Sequence, residues 1–155
     1  MKTILLISGI LLINASLFAQ FEPGKTVYST PEGDVYKVVN EMPRFPGCEE
    51  MEGTKEEIKE CAVIKLMEFI QDNLEYPEEA MAEKIQGRVF ISFIVEKDGF
   101  LSNFKLVRDI GGGCGEEAMR IVKLMDDLDM MWRPGIQNGK AVRVQFNIAV
   151  HFRLN

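Results

Sequence analysis

The side chains in this sequence of 155 residues that could do chemistry are one histidine, three cysteines and a cluster of glycines. His151 could act as a general base only beside a nucleophile that it activates. The sequence shows no serine or cysteine placed as such a partner, so we interpret His151 as a solvated histidine on the polar side of a strand. The sequence therefore predicts no catalytic residue and no enzymatic activity.

Four glycines between residues 111 and 115 precede a predicted helix, an arrangement that can bind an anion through backbone amides. They lack the lysine and the serine or threonine of a phosphate-binding loop. Glu116 and Glu117 also place negative charge where a phosphate would bind. We interpret these glycines as a flexible connector between a strand and a helix.

The three cysteines, Cys48, Cys61 and Cys114, allow three single pairings. A bond between Cys48 and Cys61 would close a highly charged loop, which cannot order itself by burying apolar surface. Closing a loop of this size stabilises a fold by roughly 3 kcal/mol, and such a bond persists in an oxidising compartment. We therefore predict this disulfide and a buried thiol at Cys114. The spacings do not match zinc ligands, and the sequence predicts no metal site and no cofactor.

Along the rest of the sequence, patterns typical of helices alternate with patterns typical of strands. A helix is predicted over residues 54–74, because Thr54 and Glu57 form a capping box and apolar residues then recur every four positions. A short helix over residues 77–84 follows. Two strands joined by a tight turn at residues 97–99 come next, and a further helix follows the glycines.

The last stretch of the chain, residues 142–154, alternates between apolar and mostly polar side chains. This period of two is typical of a strand with one face on a core and the other in water. The stretch is much longer than a typical strand of about five or six residues. A small domain would leave part of its main chain unpaired, and such an edge can bind an extended peptide from another chain.

Together, these patterns predict an α+β fold. We expect a two-layer sandwich in which two helices pack on one face of a sheet of about three antiparallel strands. Residues 42–155 are predicted to form the domain. Residues 21–41 are rich in turn formers and are predicted to be a flexible lead-in, with residues 35–39 as a candidate short strand.

The first twenty residues predict export. Lys2 is followed by an apolar run from Ile4 to Phe18 and then by the small residue Ala19, which is typical of a cleaved signal peptide. Polar residues interrupt the run, which is shorter than the ~20 apolar residues of a membrane-spanning helix. An uncleaved membrane anchor is the alternative. The net charge of −6 excludes nucleic acid as a partner.

Eight short motifs occur in a characteristic order along the chain. They are Met42-Pro43-Arg44-Phe45-Pro46-Gly47, Tyr76-Pro77-Glu78-Glu79-Ala80, Gln86-Gly87-Arg88-Val89, Val95-Glu96-Lys97-Asp98-Gly99, Gly111-Gly112-Gly113-Cys114, Glu117-Ala118, Trp132-Arg133-Pro134-Gly135 and Val142-Arg143-Val144-Gln145-Phe146. This set resembles the TonB carboxy-terminal domain family, in the form common in Bacteroidetes-type envelope proteins. The resemblance covers roughly residues 42–154, and it depends on the whole set because each motif alone is weak.

The resemblance implies a periplasmic domain that binds TonB-dependent outer-membrane receptors and transduces energy for transport across the outer membrane. In this family, an extended segment at the receptor's amino-terminal end pairs with the strand that follows the Trp-x-Pro-Gly turn, which corresponds here to Val142–Phe152. The polar contacts expected from this pairing are Arg143, Gln145 and Asn147. The full set of candidate partner-binding residues is Val142, Arg143, Val144, Gln145, Phe146, Asn147 and Ile148.

The sequence also departs from a complete TonB, which has a transmembrane anchor in contact with a proton-driven motor and a long proline-rich spacer. Only about twenty residues separate the apolar segment from the predicted domain, and no Pro-Glu or Pro-Lys repeat is present. Contact with inner-membrane motor proteins is therefore expected only if the segment stays uncleaved. The second hypothesis is a stand-alone envelope adaptor or structural protein that forms a homodimer through its terminal strand, without coupling to a motor.

Overall fold

The structure of the protein, a computed structural model, describes residues 27–154. The predicted signal peptide, residues 1–20, lies outside this part of the chain. Within residues 27–154, no helix is long and apolar enough to cross a membrane. The elements are β1 (Val27–Thr30), β2 (Gly33–Tyr36), α1 (Lys55–Asn73), α2 (Glu78–Ala82), β3 (Gly87–Val95), β4 (Leu101–Arg108), α3 (Cys114–Asp127), β5 (Gly135–Gln137) and β6 (Lys140–Phe152).

The sheet places the last strand of the chain in its middle. Five strands follow one another in the order β1-β2-β6-β3-β4, and β5 pairs separately with β6. All pairs are antiparallel except that between β2 and β6, which is parallel. β6 is therefore the strand around which both ends of the described chain are organised.

The α+β class is confirmed, but the prediction of about three strands and two helices was wrong, because residues 27–154 form six strands and three helices. The extra strands β1, β2 and β5 are only three or four residues long. Alternation cannot be recognised over so few positions. β1 and β2 fall within residues 21–41, the predicted flexible lead-in, and the candidate strand at 35–39 overlaps β2 only at Val35 and Tyr36.

The core lies between the sheet and the helices. Alternate residues of β3 are completely buried against α3, and α1 contributes Leu66 and Ile70. Burying one such side chain fully stabilises the fold by about 1.5–3 kcal/mol. The main residues contributed by β3 and α3 are Val89, Ile91, Phe93, Val95, Ala118, Ile121, Val122 and Met125.

Trp132 fixes the turn before β5 to this core. It is 2% exposed and makes edge-to-face contacts with Phe45, Phe93 and Phe146, with ring centroids 5.2–5.5 Å apart. Its backbone N–H donates to the carbonyl of Gly99 at 3.0 Å. A Cβ at Gly99, where φ is +90°, would lie 2.2 Å from the Trp132 carbonyl oxygen, so only glycine allows this approach.

The predicted disulfide and helix start are both confirmed. Cys48 and Cys61 are bonded, which ties the extended segment before α1 to the first half of that helix. Thr54 and Glu57 form the reciprocal capping box. Cys114 is buried and free, and burial raises the pKa of its thiol.

Candidate functional site

One edge of β6 is paired continuously with β3. Nine residue pairs run without a break, from Gly87–Phe152 to Val95–Val144. Over residues 147–152 of β6, burial alternates as the sequence predicted, because Asn147 and His151 are exposed while their even-numbered neighbours are buried. Arg143, on the predicted polar side, is buried instead. The continuous ladder keeps residues 144–152 of β6 extended, with no shift in their pairing register.

The opposite edge of β6 is only partly covered. β2 pairs in parallel with Arg143 and Val144, through Val35 and Tyr36. β5 pairs with the first three residues of β6, 140–142. On the side of β2, no strand within residues 27–154 pairs with β6 beyond Val144. Residues 145–152, about 27 Å of strand at ~3.4 Å per residue, therefore have one free edge.

The structure divides the seven predicted partner-binding residues into two groups. Val142 pairs with Gly135, Arg143 pairs with Val35, and Val144 is paired on both sides. These three positions are engaged within the chain. The other four, Gln145, Phe146, Asn147 and Ile148, pair with β3 and lie along the free edge.

The free edge also extends past the predicted set, to Phe152. These additional positions, residues 149–152, carry the same alternation as the rest of β6. The sequence pattern ran through them to residue 154, so the pattern itself could have located them. The pattern could not show where the pairing of β2 with β6 ends.

Arg143 forms an internal network and is 5% exposed. Its Nε and Nη2 donate to the two carboxylate oxygens of Glu96, at 2.7 and 2.9 Å. Its Nη1 donates to the hydroxyl of Thr30 at 2.6 Å and to the carbonyl of Gly33 at 3.2 Å. The guanidinium therefore fastens the β1–β2 hairpin to the end of β3. The resemblance implied a polar contact with a partner at Arg143, whereas its hydrogen bonds here are made within the chain.

The charges in this network stabilise each other. The hydrogen bonds with Glu96 raise the pKa of Arg143 above its ordinary value. Burial by itself would raise the pKa of Glu96, but hydrogen bonds from Arg143 and Ser102 outweigh burial, and the net shift is downward. Both groups are therefore charged at neutral pH. Together they hold the β1–β2 hairpin beside Arg143 and Val144, the residues of β6 that pair with β2.

The glycine cluster is a connector, as the sequence predicted. Gly113 lies just before α3 with φ of +82°, and a Cβ at Gly112 would come within 3.0 Å of the backbone of Ala80 in α2. Glu117 is buried and accepts a hydrogen bond from the backbone N–H of Glu75 at 2.7 Å. The carboxylate of Glu117 thus binds a backbone amide of the chain itself beside these glycines.

The opposite border of the sheet is β4, which pairs only with β3. Its register with β3 shifts twice, between Phe90 and Ile91 and between Ser92 and Ile94. Asn103 has φ of +56°, which breaks the regular extended backbone. Lys105 is an exposed charge on this strand. Bulges and charges of this kind disfavour the addition of another strand.

The α+β fold of residues 27–154 thus has a half-open strand edge along β6, an arrangement suited to binding an extended chain. A family model described as the Gram-negative bacterial TonB protein C-terminal matches residues 72–154. The chain belongs to this family. TonB C-terminal domains are non-enzymatic transducer domains of the periplasm that interact with outer-membrane receptors, and membership supports a TonB-like energy-transducer role.

Solved structures similar to this chain include two of one bacterial protein. Both are solution structures of the TonB C-terminal domain of Helicobacter pylori, at 21% and 20% sequence identity. The first alignment covers 60% of this chain and 82% of the other, with a TM-score of 0.42. The second covers 56% and 89%, with a TM-score of 0.40. No curated protein matches this chain.

Proposed function

We propose that this chain is an exported periplasmic domain that binds the amino-terminal segments of TonB-dependent outer-membrane receptors. In this proposal, the receptor segment adds a strand to the free edge of β6 over residues 145–152. The observation that carries the proposal is the uninterrupted register of this stretch with β3, combined with the end of β2 pairing at Val144.

The physical basis of binding is main-chain hydrogen bonding. Alternate residues of a strand direct their N–H and C=O groups to opposite edges, so about half of residues 145–152 point these groups to the free side. Each bond to an added strand contributes roughly 0.5–1.5 kcal/mol net. Because these contacts use backbone atoms, the half-buried Gln145 and the exposed Asn147 would modulate the choice of partner and not provide most of the affinity.

The first experiment traps the bound segment by disulfide exchange. Asn147→Cys places a thiol on the exposed face beside the free edge. The probe is a synthetic peptide of a receptor's amino-terminal segment whose one central cysteine is a mixed disulfide with 2-thiopyridine, which leaves when the protein thiol attacks. We expect Asn147→Cys to form a mixed disulfide far faster than Lys105→Cys, a matched exposed position on β4. The unaltered protein reports the background exchange of its free thiol, the buried Cys114. Equal trapping at both positions would contradict pairing at β6.

The second experiment tests the backbone hydrogen bonds without altering the protein. Two versions of the same peptide, without the cysteine, carry N-methyl groups on alternate amides, one version on the odd positions and one on the even. Only the set that faces β6 should lose affinity, by roughly thirtyfold for two lost bonds. If both versions bind as tightly as the unmethylated peptide, the peptide is not held as an added strand.

The same free edge could pair with a second copy of this chain, which is the homodimer hypothesis. Sedimentation at several dilute concentrations distinguishes the two. The receptor-binding proposal predicts a monomer that binds the peptide. A dimer that persists on dilution and excludes the peptide would support the adaptor that homodimerises through β6.

Export is part of the proposal, and it depends on the apolar segment that follows Lys2. We propose that residues 1–20 are removed and that residues 42–155 act as the binding domain. Mass measurement of the protein recovered from the periplasm should give a chain that begins near Phe21. A retained segment would instead support an inner-membrane anchor and direct contact with motor proteins.

A further inference from the structure

Charge is distributed unevenly between the two faces of the sheet. The helices pack on one face, and acidic residues outnumber basic ones in each of them. The three longest strands, β3, β4 and β6, contain no aspartate or glutamate. The opposite face of the sheet, called the helix-free face below, is therefore the place where basic side chains can dominate.

Three cations share the helix-free face. Residues of β3 alternate between the two faces, and those that join the core against the helices have odd numbers. Arg88, an even-numbered residue, therefore lies on the helix-free face. Lys105 and Arg108 of β4 are opposite Ser92 and Phe90 of β3, which are also even-numbered, so they share that face. All three cations are exposed.

A fourth cation extends this group across the sheet. Lys37 is exposed just after β2, and its Nζ is 6.0 Å from the centroid of the Tyr28 ring. Tyr28 lines a cavity of about 150 Å³ together with Lys105 and Gln145. No carboxylate of the described residues lines this cavity. The cations therefore extend from the end of β2, across β6 and β3, to β4.

Acids at the borders of the helix-free face already have partners. Glu96 accepts hydrogen bonds from Arg143 with both carboxylate oxygens, and Glu32 is 4.0 Å from the same guanidinium. Asp109, which follows Arg108, accepts hydrogen bonds from the backbone N–H groups of the next two residues. Within residues 27–154, none of the four cations of this face forms an ion pair.

The net negative charge of the chain does not cancel this local positive charge. The chain has 24 acidic and 18 basic residues, but the acids of the helices lie behind the sheet. A helix is about 10 Å across, which exceeds the distance of ~8 Å over which 0.15 M salt screens charge. An anion that approaches the helix-free face therefore meets mainly its four cations.

We propose that the helix-free face binds an anionic phospholipid membrane, with Lys37, Arg88, Lys105 and Arg108 facing the lipid phosphates. This inference goes beyond the proposed function, because it requires no strand at the edge of β6. The cations are spread across the sheet and not gathered around one point. A surface of negative charge can therefore meet all four of them, whereas a single small anion cannot.

An exposed apolar side chain among the cations also favours a membrane. Val107 is 64% exposed and lies between Lys105 and Arg108 in the chain. Interfacial protein surfaces combine cations, which meet the headgroups, with apolar side chains that enter the boundary of the acyl chains. TonB C-terminal domains function in the periplasm, where such a face can meet a membrane.

The test measures the sedimentation of residues 21–155 with lipid vesicles. This chain contains every described element but not the apolar segment, which could insert into lipid by itself. The vesicles contain phosphatidylcholine alone or phosphatidylcholine mixed with phosphatidylglycerol. We expect binding only to the mixed vesicles in 0.15 M salt, and its loss in 1 M salt, where the screening length falls to ~3 Å. Equal binding to both kinds of vesicle, or no binding to the mixed ones, would overturn the inference.

A pair of matched variants tests which face is bound. Lys105→Gln/Arg108→Gln should weaken binding to the mixed vesicles roughly thirtyfold, because each basic residue near an anionic surface contributes about a fivefold gain. Lys65→Gln/Lys123→Gln makes the same change in net charge at exposed positions of α1 and α3, and it should bind like the unaltered chain. An equal loss in both variants would show that net charge, and not the helix-free face, controls binding.

A charge-preserving exchange distinguishes a membrane surface from a site for one phosphate group. Lys105→Arg/Arg108→Lys should bind the mixed vesicles like the unaltered chain, because attraction to a surface depends on charge and not on the geometry of one contact. Loss of binding in this variant, or release of the unaltered chain by glycerol 3-phosphate at constant ionic strength, would overturn the inference. These assays contain no peptide, so their outcome is separate from that of the proposed function.

Discussion

The two borders that the central strands offer to solvent differ in regularity. β6 follows β3 through nine consecutive pairs and is covered on its other side only at Arg143 and Val144. No strand within residues 27–154 pairs with the outer side of β4, but two shifts of register and the positive φ of Asn103 interrupt this side. Exposure alone therefore does not define a binding edge. A straight run of main-chain groups is also needed, and of these two borders only the one along β6 is uninterrupted.

The first prediction concerns Arg143, which holds the β1–β2 hairpin at the point where the free edge of β6 begins. Arg143→Ala leaves Glu96 without its charged partner and releases Thr30 and Gly33. We expect a loss of about 3 kcal/mol in the free energy of unfolding, because removing one partner of a buried ion pair leaves the other unpaired. Urea denaturation measures this, with Lys140→Ala as an exposed control on the same strand. A loss below about 0.5 kcal/mol would mean that Arg143 does not fasten the hairpin.

The second prediction separates the stability of the domain from the properties of its edge. Replacing Cys48 and Cys61 by serine should reduce the free energy of unfolding by roughly 3 kcal/mol, because the unfolded chain regains the freedom of an open loop. The peptide affinity of the folded protein should not change, since this bond joins the segment before α1 to that helix. Calorimetry on the double variant tests both parts. Weaker binding by the folded variant would show that the two regions are coupled.

The third prediction compares the two edges directly by hydrogen exchange. At a peptide concentration of 100 Kd, the amides of residues 145–152 that face the free edge should exchange about 100-fold more slowly. The amides of residues 101–108 in β4 should slow only as much as the rest of the sheet. Mass spectrometry of peptic fragments distinguishes the two strands. Selective protection of β4 would reverse the assignment of the binding edge.

The fourth and smallest effect concerns pH at the covered end of β6. The pKa of Glu96 is below its ordinary value of 4.5, so its contribution to stability is present above that value and is lost as the pH falls through the lowered pKa of the folded state. Thermal unfolding should therefore show that the unaltered protein loses more stability than Glu96→Gln between pH 5 and pH 3. Parallel curves for the two proteins would exclude this carboxylate as a contributor.

Most of the longer helices and strands were predictable, because the sequence patterns that indicate them involve residues close together in the chain. The capping box of Thr54 and Glu57 needs only three residues of spacing, and the alternation of β6 spans enough positions to be recognised. The disulfide followed from loop length and from the charge between its cysteines. Of the three short strands, β1 and β5 were not predicted and β2 was predicted only at Val35 and Tyr36, because each strand contains too few residues for a period and acquires a partner only after the chain has folded.

The site was predictable to a similar degree. Gln145 to Ile148 lie on the free edge, and their part in binding a partner stays a prediction. Arg143 was expected to be a polar contact, but it is buried in the structure. Its partners Glu96 and Thr30 are 47 and 113 positions away along the chain. No local pattern relates such distant residues, so the burial of Arg143 could not be deduced from its position in the strand.

The sequence by itself determined that the chain ends in a long amphipathic strand and that its motifs are those of a TonB C-terminal domain. Both are properties of neighbouring residues, and side-chain alternation follows directly from strand geometry. Only the tertiary structure decided which main-chain groups of that strand remain free. An edge is open or closed according to which distant segments reach it, and here β3 closes one side while β2 covers the other only as far as Val144.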